Sequence, residues 1–245
     1  MSKLVTALIL MLCPLLALGA GGGVPLEKAK VDLRDKEAMR RGAQYFVDHC
    51  MGCHSLQFQR YNRMGQDLGI PEPELRERFI YDGGRPGDLM ENSMRAEDAE
   101  KWFGTAIPDL TLVTRWRSPD WVYTYLKSYY LDPSRPWGVN NAVFADVGMP
   151  HVLAPQQGLQ KAVYEEAKHG EEGHGPLEGL ELVEEGSMSP EAYDQMVYDL
   201  TAFLTYVGEP IAEKRRELGV YVLLFLGVLF VFAYALKKEY WKDIH

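Results

Sequence analysis

Cysteine is scarce in this chain: only Cys13, Cys50 and Cys53 occur among 245 residues. A disulfide scaffold is excluded, and at this length one good-sized domain, or a smaller domain with membrane segments, folds without such staples. Positive charge is also short, with 26 Lys and Arg against 35 Asp and Glu and a net charge of -9. That balance argues against a nucleic-acid partner and favours a basic partner protein met in a fast, salt-sensitive encounter. There is no internal repeat, which excludes a repeat architecture.

Long apolar runs are few, and two of them read as membrane signals. Leu4 to Leu18 follows the single Lys3 and precedes Gly19-Ala20-Gly21-Gly22, the layout of a secretory signal peptide. Cleavage near Ala20 removes Cys13, and bulky Leu12 before that cysteine argues against a lipoprotein anchor. The second run, LGVYVLLFLGVLFVFAYAL from Leu218 to Leu236, has 19 residues without a charge, close to the roughly 20 a helix needs to cross a bilayer core. Lys237, Lys238 and Lys242 follow it, with Tyr234, Tyr240 and Trp241 placed for an interface belt. Lys214, Arg215 and Arg216 put charge on the near side too, so orientation rests on the signal peptide. The expected organisation is a signal peptide at 1–20, an exported domain at 24–210, an anchor helix at 217–238 and a cytoplasmic tail at 239–245.

Within the exported domain, Asp35 to His49 places Met39, Ala43, Phe46 and Val47 at helical spacing. From Gly65 to Gly104 Pro and Gly recur, which predicts loops broken by a short helix over Pro73 to Phe79. Pro119 to Tyr130 predicts a helix with Trp121, Tyr125, Leu126 and Tyr129 toward a core. Asp132 to Pro155, with the Asn140-Asn141 pair, reads as loop. Gln160 to Glu165 and Leu180 to Glu184 read as an antiparallel hairpin around a loop rich in Gly and Glu. The last soluble helix is capped by Ser189, opens on Pro190, presents Met196, Val197, Leu200, Phe203, Leu204 and Val207 on one face, and stops at Gly208 and Pro210.

Two of the cysteines share the stretch HCMGCH, His49 to His54. Chance produces Cys-x-x-Cys-His about once in a thousand such sequences. A zinc site needs four ligands and usually a second close pair, but beyond the motif there are only the scattered histidines His151, His169, His174 and His245. A redox dithiol needs a βαβ setting with its first cysteine opening a helix; these cysteines close one. Covalent haem attachment explains each position: Cys50 and Cys53 meet the two vinyl groups, and His54 turns onto the iron. His49 has no such task and reads as a helix-end residue.

A sixth ligand must then come from elsewhere, or the iron stays reactive. Met149, in Val147-Gly148-Met149-Pro150, and Met188, in Gly186-Ser187-Met188-Ser189, are the two contenders, while Met39 and Met196 look like core residues. Buried haem propionates need cations, for which Arg115 and Arg117 in PDLTLVTRWR are candidates. Pro108 is a candidate to present a carbonyl to the far nitrogen of His54.

In order along the chain, RGAQYFVDHCMGCHSLQFQRYNRM (Arg41 to Met64), IPDLT (Ile107 to Thr111), VGMPHVL (Val147 to Leu153), SPEAYDQMVYDLTAFLTYVGEP (Ser189 to Pro210) and the anchor ending KKEYWKDIH resemble the cytochrome c1 family. One departure is PHVLAPQQG after Met149, where mitochondrial members carry a run of prolines. The resemblance implies a mostly α c-type haem domain with long Pro/Gly loops, a small β-hairpin and one C-terminal transmembrane helix. It implies one covalent haem c attached at Cys50 and Cys53, with His54 proximal and Met149 distal, and puts the propionate arginine at Arg115 or Arg117. It further implies an electron-carrier subunit of the bacterial inner-membrane cytochrome bc1 complex, facing the periplasm, rather than a catalyst on its own. The implied partners are cytochrome b, the Rieske iron-sulfur protein, a cytochrome c and membrane lipid. The alternative is a membrane-anchored monohaem cytochrome c of a terminal oxidase, nitric oxide reductase or dehydrogenase. The Glu-rich stretch Val163 to Gly186 is a candidate docking face for a basic cytochrome c.

Overall fold

In a computed structural model, residues 24–81, 83–165, 175 and 177–243 are described. The expected signal peptide, His169, His174, His245 and residues 166–174 and 176 of the Glu-rich stretch lie outside them.

Two long helices form the centre. Helix α1 (Lys36–His49) starts where Asp35 accepts a hydrogen bond from the Ala38 N–H, and it buries Met39, Gly42, Ala43, Phe46 and Val47 on one face. Far along the chain, a helix over Pro190–Gly208 starts at Ser189, whose Oγ accepts from the Ala192 N–H at 3.3 Å, and it buries Met196, Val197, Leu200, Phe203, Leu204 and Val207. The two cross at Gly42, where a Cβ would lie 2.0 Å from the Asp199 carbonyl oxygen. Only glycine permits that approach. Beside the crossing the Phe46 and Phe203 rings lie 5.8 Å apart. Arg41 also clamps the buried Asp199 carboxylate, donating from Nε at 2.6 Å and Nη2 at 2.9 Å.

The stretch expected to be loop holds more structure than its Pro and Gly content suggests. Strand β1 (Leu56–Arg60) leads into α2 (Tyr61–Leu68), which stops at Gly69 with φ 70°. Helix α3 (Glu72–Arg78) matches the expected short helix; β2 (Leu89–Met90) pairs antiparallel with β1, and α4 (Ala96–Phe103) ends at Gly104 with φ 73°. Helix α4 escapes a periodicity reading because Ala99 is its only buried residue. After the single turn α5 (Val113–Trp116), α6 (Pro119–Lys127) is shorter than expected. Ser128 closes it by donating to the Thr124 carbonyl at 2.6 Å, and Tyr129–Leu131 become β3, paired with β4 (Val139–Asn141) inside the supposed loop. Leu126 and Tyr129 are buried as expected, whereas Trp121 and Tyr125 are half-buried against the core.

The short α7 (Ala154–Gln157) is followed by the expected hairpin, which is longer than its alternation indicated: β5 (Gly158–Tyr164) against β6 (Leu177–Glu185), paired from Gly158 opposite Glu185 to Tyr164 opposite Leu177 with the register shifting between Leu159 and Gln160 and between Val163 and Tyr164. The described residues thus contain three separate antiparallel strand pairs on a mainly helical frame. The Pro190–Gly208 helix is α8, and α9 (Ala212–Tyr240) is 29 residues long with only Ala212 buried. At 1.5 Å per residue it reaches about 44 Å. Among the described residues it is the one helix long and apolar enough to cross a membrane.

Candidate haem site

Where α1 ends, the chain winds one further turn. The Cys53 and His54 N–H groups donate to the Cys50 carbonyl at 3.0 and 2.8 Å, while the Cys50 and Met51 N–H groups both reach the Phe46 carbonyl. This turn carries two thiols and an imidazole on a single winding at the end of α1, one of the two helices that form the core. Cys50 is buried and Cys53 half-buried; burial pushes the Cys50 thiol up to about 12. Such a thiol is protonated at neutral pH, the opposite of a dithiol nucleophile. Among the described residues no three His, Cys, Asp or Glu side chains converge as a metal cluster, so the four-ligand set of a structural zinc is not assembled.

The His54 ring is buried and its Nδ1 lies 2.8 Å from the Pro108 carbonyl. A carbonyl only accepts, so Nδ1 carries the proton and Nε2 keeps its lone pair. Burial also holds the imidazole below its ordinary pKa, in the neutral form that ligates metals. The Pro108 segment is stitched in place. The Leu110 N–H donates to the Ser55 carbonyl at 3.0 Å, and Asp109 accepts from the Gln57 N–H at 2.7 Å and the Thr111 N–H at 2.9 Å. Asn92 binds the other flank, donating from Nδ2 to the Cys53 carbonyl and from its N–H to Ser55 Oγ. Asp109 sits within the IPDLT motif and so had a sequence signal. Asn92 had none.

Met149 stands on the loop after β4. The Asn140-Asn141 pair, expected within a loop, is buried and shapes the segment that carries Met149. Asn141 Oδ1 accepts from the N–H groups of Val143 and Phe144 at 2.9 and 3.1 Å, and Asn140 Oδ1 accepts from the Asp146 N–H at 2.9 Å. Asn141 Nδ2 donates to the Tyr125 carbonyl at 2.8 Å, fastening the loop to α6. Val147 is buried with Tyr129 and Val139, and half-buried Met149 packs on that cluster. The Met149 sulfur lies 3.5 Å from the Tyr125 hydroxyl, which lies 2.7 Å from the Tyr129 hydroxyl. Burial pushes the Tyr125 phenol up to about 12 and Tyr129 further, so both keep their protons. The rival Met188, just before α8, packs instead against the main core, with its N–H donating to the Gln156 carbonyl at 3.1 Å; Met39 and Met196 are buried core residues.

The two arginines part company. Arg115 reaches Glu209 at 3.4 Å, a carboxylate it shares with Arg215 at the start of α9. Arg117 has no carboxylate within ion-pair distance among the described residues; its guanidinium lies 4.0 Å from the Trp116 ring centroid, 4.9 Å from Trp121 and 5.6 Å from Phe144.

The donor set fits a covalently held haem: two thiols on one turn, an oriented imidazole with Nε2 left to bind, a thioether on a second loop and an arginine that sits among aromatic rings with no carboxylate partner among the described residues. The sequence comparisons agree. The chain matches the model of the Cytochrome C1 family over residues 28–244. It is 58% identical over 245 residues to a cytochrome c1 of Allochromatium vinosum, covering 100% of both chains. It is 31% identical to a cytochrome c1 of Rhodospirillum rubrum, covering 91% of this chain and 90% of that one. A protein of Nitrosomonas europaea named ammonia monooxygenase gamma subunit is 45% identical over 238 residues, 97% of each chain. With a family match across most of its length and a full-length relative at 58% identity, the chain belongs to the cytochrome c1 family, membrane-anchored electron carriers of the respiratory chain that hold one covalent haem c.

Proposed function

We propose that the chain takes an electron from the Rieske protein of a cytochrome bc1 complex, beside cytochrome b, and passes it to a cytochrome c. The observation that carries this reading is the His54 tautomer, fixed by Pro108 so that Nε2 is available to iron. When bound, the haem supplies a one-electron couple. Cys50 and Cys53 hold it by thioethers, so the carrier is retained through every redox cycle. His54 would hold the iron on the proximal side and Met149 on the distal side, a pairing that would suit electron transfer over oxygen chemistry. Arg117 neutralises a propionate, whereas Arg115 serves the junction between haem domain and anchor through Glu209.

The haem domain over 24–210 faces the periplasm after signal removal at 1–20. Helix residues 217–238 span the membrane, and the Lys-bearing tail at 239–245 stays in the cytoplasm. On β6, Glu178, Glu184 and Glu185 are exposed and lack a cationic partner among the described residues, which supports this hairpin as the docking face for a basic acceptor. An oxidase, nitric oxide reductase or dehydrogenase as the host assembly is not favoured, since full-length relatives carry the cytochrome c1 name.

The test is a pyridine haemochrome spectrum of the purified full chain after extraction with acidified acetone. Haem retained with the spectrum of two saturated vinyl groups is expected; extractable haem, or none, refutes the proposal. Co-purification with a cytochrome b and a Rieske protein, rather than a copper-haem oxidase, checks the assembly.

A further inference from the structure

The Tyr125 and Tyr129 hydroxyls form a short chain that ends on the Met149 sulfur, and the direction of that chain follows from counting protons. Each hydroxyl carries one proton, and a thioether sulfur only accepts. Tyr129 is 1% exposed; among the described residues its hydroxyl has Tyr125 as its one hydrogen-bond partner, at 2.7 Å. Were Tyr125 to donate to Tyr129, the Tyr129 proton would be buried without an acceptor and the sulfur would receive nothing. With Tyr129 donating to Tyr125, and Tyr125 donating to Met149 Sδ at 3.5 Å, both protons are satisfied.

The aim of the Tyr125 hydroxyl is built rather than incidental. The Tyr125 ring stacks on Trp121 with centroids 4.9 Å apart and planes at 11°, and meets Tyr129 edge-on at 5.4 Å and 70°. The Tyr125 carbonyl is held by Asn141, the same side chain that shapes the Met149 loop. Tyr129 in turn stacks on His151, just past Met149, at 4.6 Å and 3°. Donor helix and acceptor loop are therefore locked to each other on both sides of the contact.

Resting on the reading of Met149 as the distal ligand, we propose that Tyr125 is a positioning residue for that ligand, whose hydroxyl, backed by Tyr129, donates to the sulfur and raises the haem potential. The sulfur has two lone pairs, one for the metal and one for the hydroxyl. A donated hydrogen bond withdraws density from the sulfur, weakens it as a donor to ferric iron and so favours the ferrous state. The Tyr129 hydroxyl polarises the Tyr125 hydroxyl and strengthens the effect.

The test is an equilibrium redox titration of the haem-loaded full chain, in its complex, for Tyr125→Phe, Tyr129→Phe, Met149→Leu and Met188→Leu, together with the sulfur-to-ferric-iron charge-transfer band. Tyr125→Phe is expected to raise the ferric-to-ferrous ratio at fixed ambient potential about threefold to tenfold, a fall of ~30 to 59 mV at 59 mV per tenfold for one electron. The band should persist at a shifted wavelength. Tyr129→Phe should act in the same direction by less. An unchanged potential and band in Tyr125→Phe overturn the proposal, even if thermal stability falls, because a purely packing role moves stability alone. Covalent attachment keeps each variant titratable even if its pocket loosens. If Met188→Leu abolishes the band while Met149→Leu leaves it, the ligand assignment fails and the Tyr125 role falls with it; that result is distinct from an unmoved Tyr125→Phe.

Discussion

Substituting Gly42 with alanine sets two known effects against each other at one atom. A Cβ at this position lies 2.0 Å from the Asp199 carbonyl oxygen, 2.5 Å from the Asp199 carbonyl carbon and 2.8 Å from the Phe203 Cβ. Ordinary contact needs about 3.4 Å, so α1 and α8 must part by about 1.4 Å, well over the 0.5–1 Å gap that forfeits a quarter to a half of a dispersion contact. Two of the three atoms are backbone of a helix that buries most of its length, so local relief is not available. Overpacking of this kind costs about 1–3 kcal/mol, and the backbone clash puts Gly42 at the top of that range. Alanine returns about 1 kcal/mol through helix propensity. The net expectation is a loss of about 2 kcal/mol, which for a domain of this size lowers the melting temperature by about 4–8 °C. The assay is thermal unfolding of the detergent-solubilised full chain, followed by tryptophan fluorescence so that α9 does not dominate the signal. Gly179→Ala, where the added Cβ meets nothing within 4 Å, is the control and should melt like the parent. A Gly42→Ala protein as stable as the parent, or more stable, would mean that propensity prevails and would refute the close crossing.

Other perturbations probe the same frame and site. Arg41→Ala strands a carboxylate that is 1% exposed, with Gln195 as a remaining donor at 2.8 Å; a loss of about 2–3 kcal/mol in denaturant titration is expected, below the usual figure for a broken buried pair because Arg41 itself is half in water. Asn141→Ala frees the Tyr125 carbonyl and the Val143 and Phe144 N–H groups. It should cost about 2–3 kcal/mol and let an exogenous ligand such as imidazole compete at the ferric haem, read by optical titration; an unaltered affinity would separate this loop from the haem. Neutralising Glu184 and Glu185 together should slow electron transfer to a basic cytochrome c at low ionic strength and flatten its salt dependence. An unchanged rate at low salt would remove the hairpin from the docking face.

Local, repeated signals are legible in the sequence alone. Helices α1 and α8 declare themselves because each buries a stripe three and four residues apart behind a capping Asp35 or Ser189. Helix α9 does so because a long apolar run has few alternatives to a bilayer, and Cys50, Cys53 and His54 because attachment chemistry demands that spacing. Elements with one buried side were hidden: α4 rests on Ala99 alone. Segments whose state depends on a distant partner differ from the local expectation: Tyr129 and Tyr130 leave α6 because Asn140 and Asn141 offer a strand to pair with.

Within the site, composition and order alone pointed to both arginines and could not divide them. The division comes from Glu209, over ninety positions away, which draws off Arg115 and leaves Arg117 among aromatic rings. Gly42 reads in sequence as a weak point of a helix, and only the arrival of Asp199 turns it into a requirement. Likewise Tyr125 reads as one more core aromatic until Met149 folds against its hydroxyl. The chain thus carries its helices, its membrane anchor and its haem motif in near-neighbour patterns, because helix packing faces and thioether geometry are short-range constraints. Which arginine Glu209 engages, which glycine the helix crossing requires and which hydroxyl meets the Met149 sulfur are long-range pairings, and they exist only once α1, α6, α8 and the 142–149 loop have closed on one another.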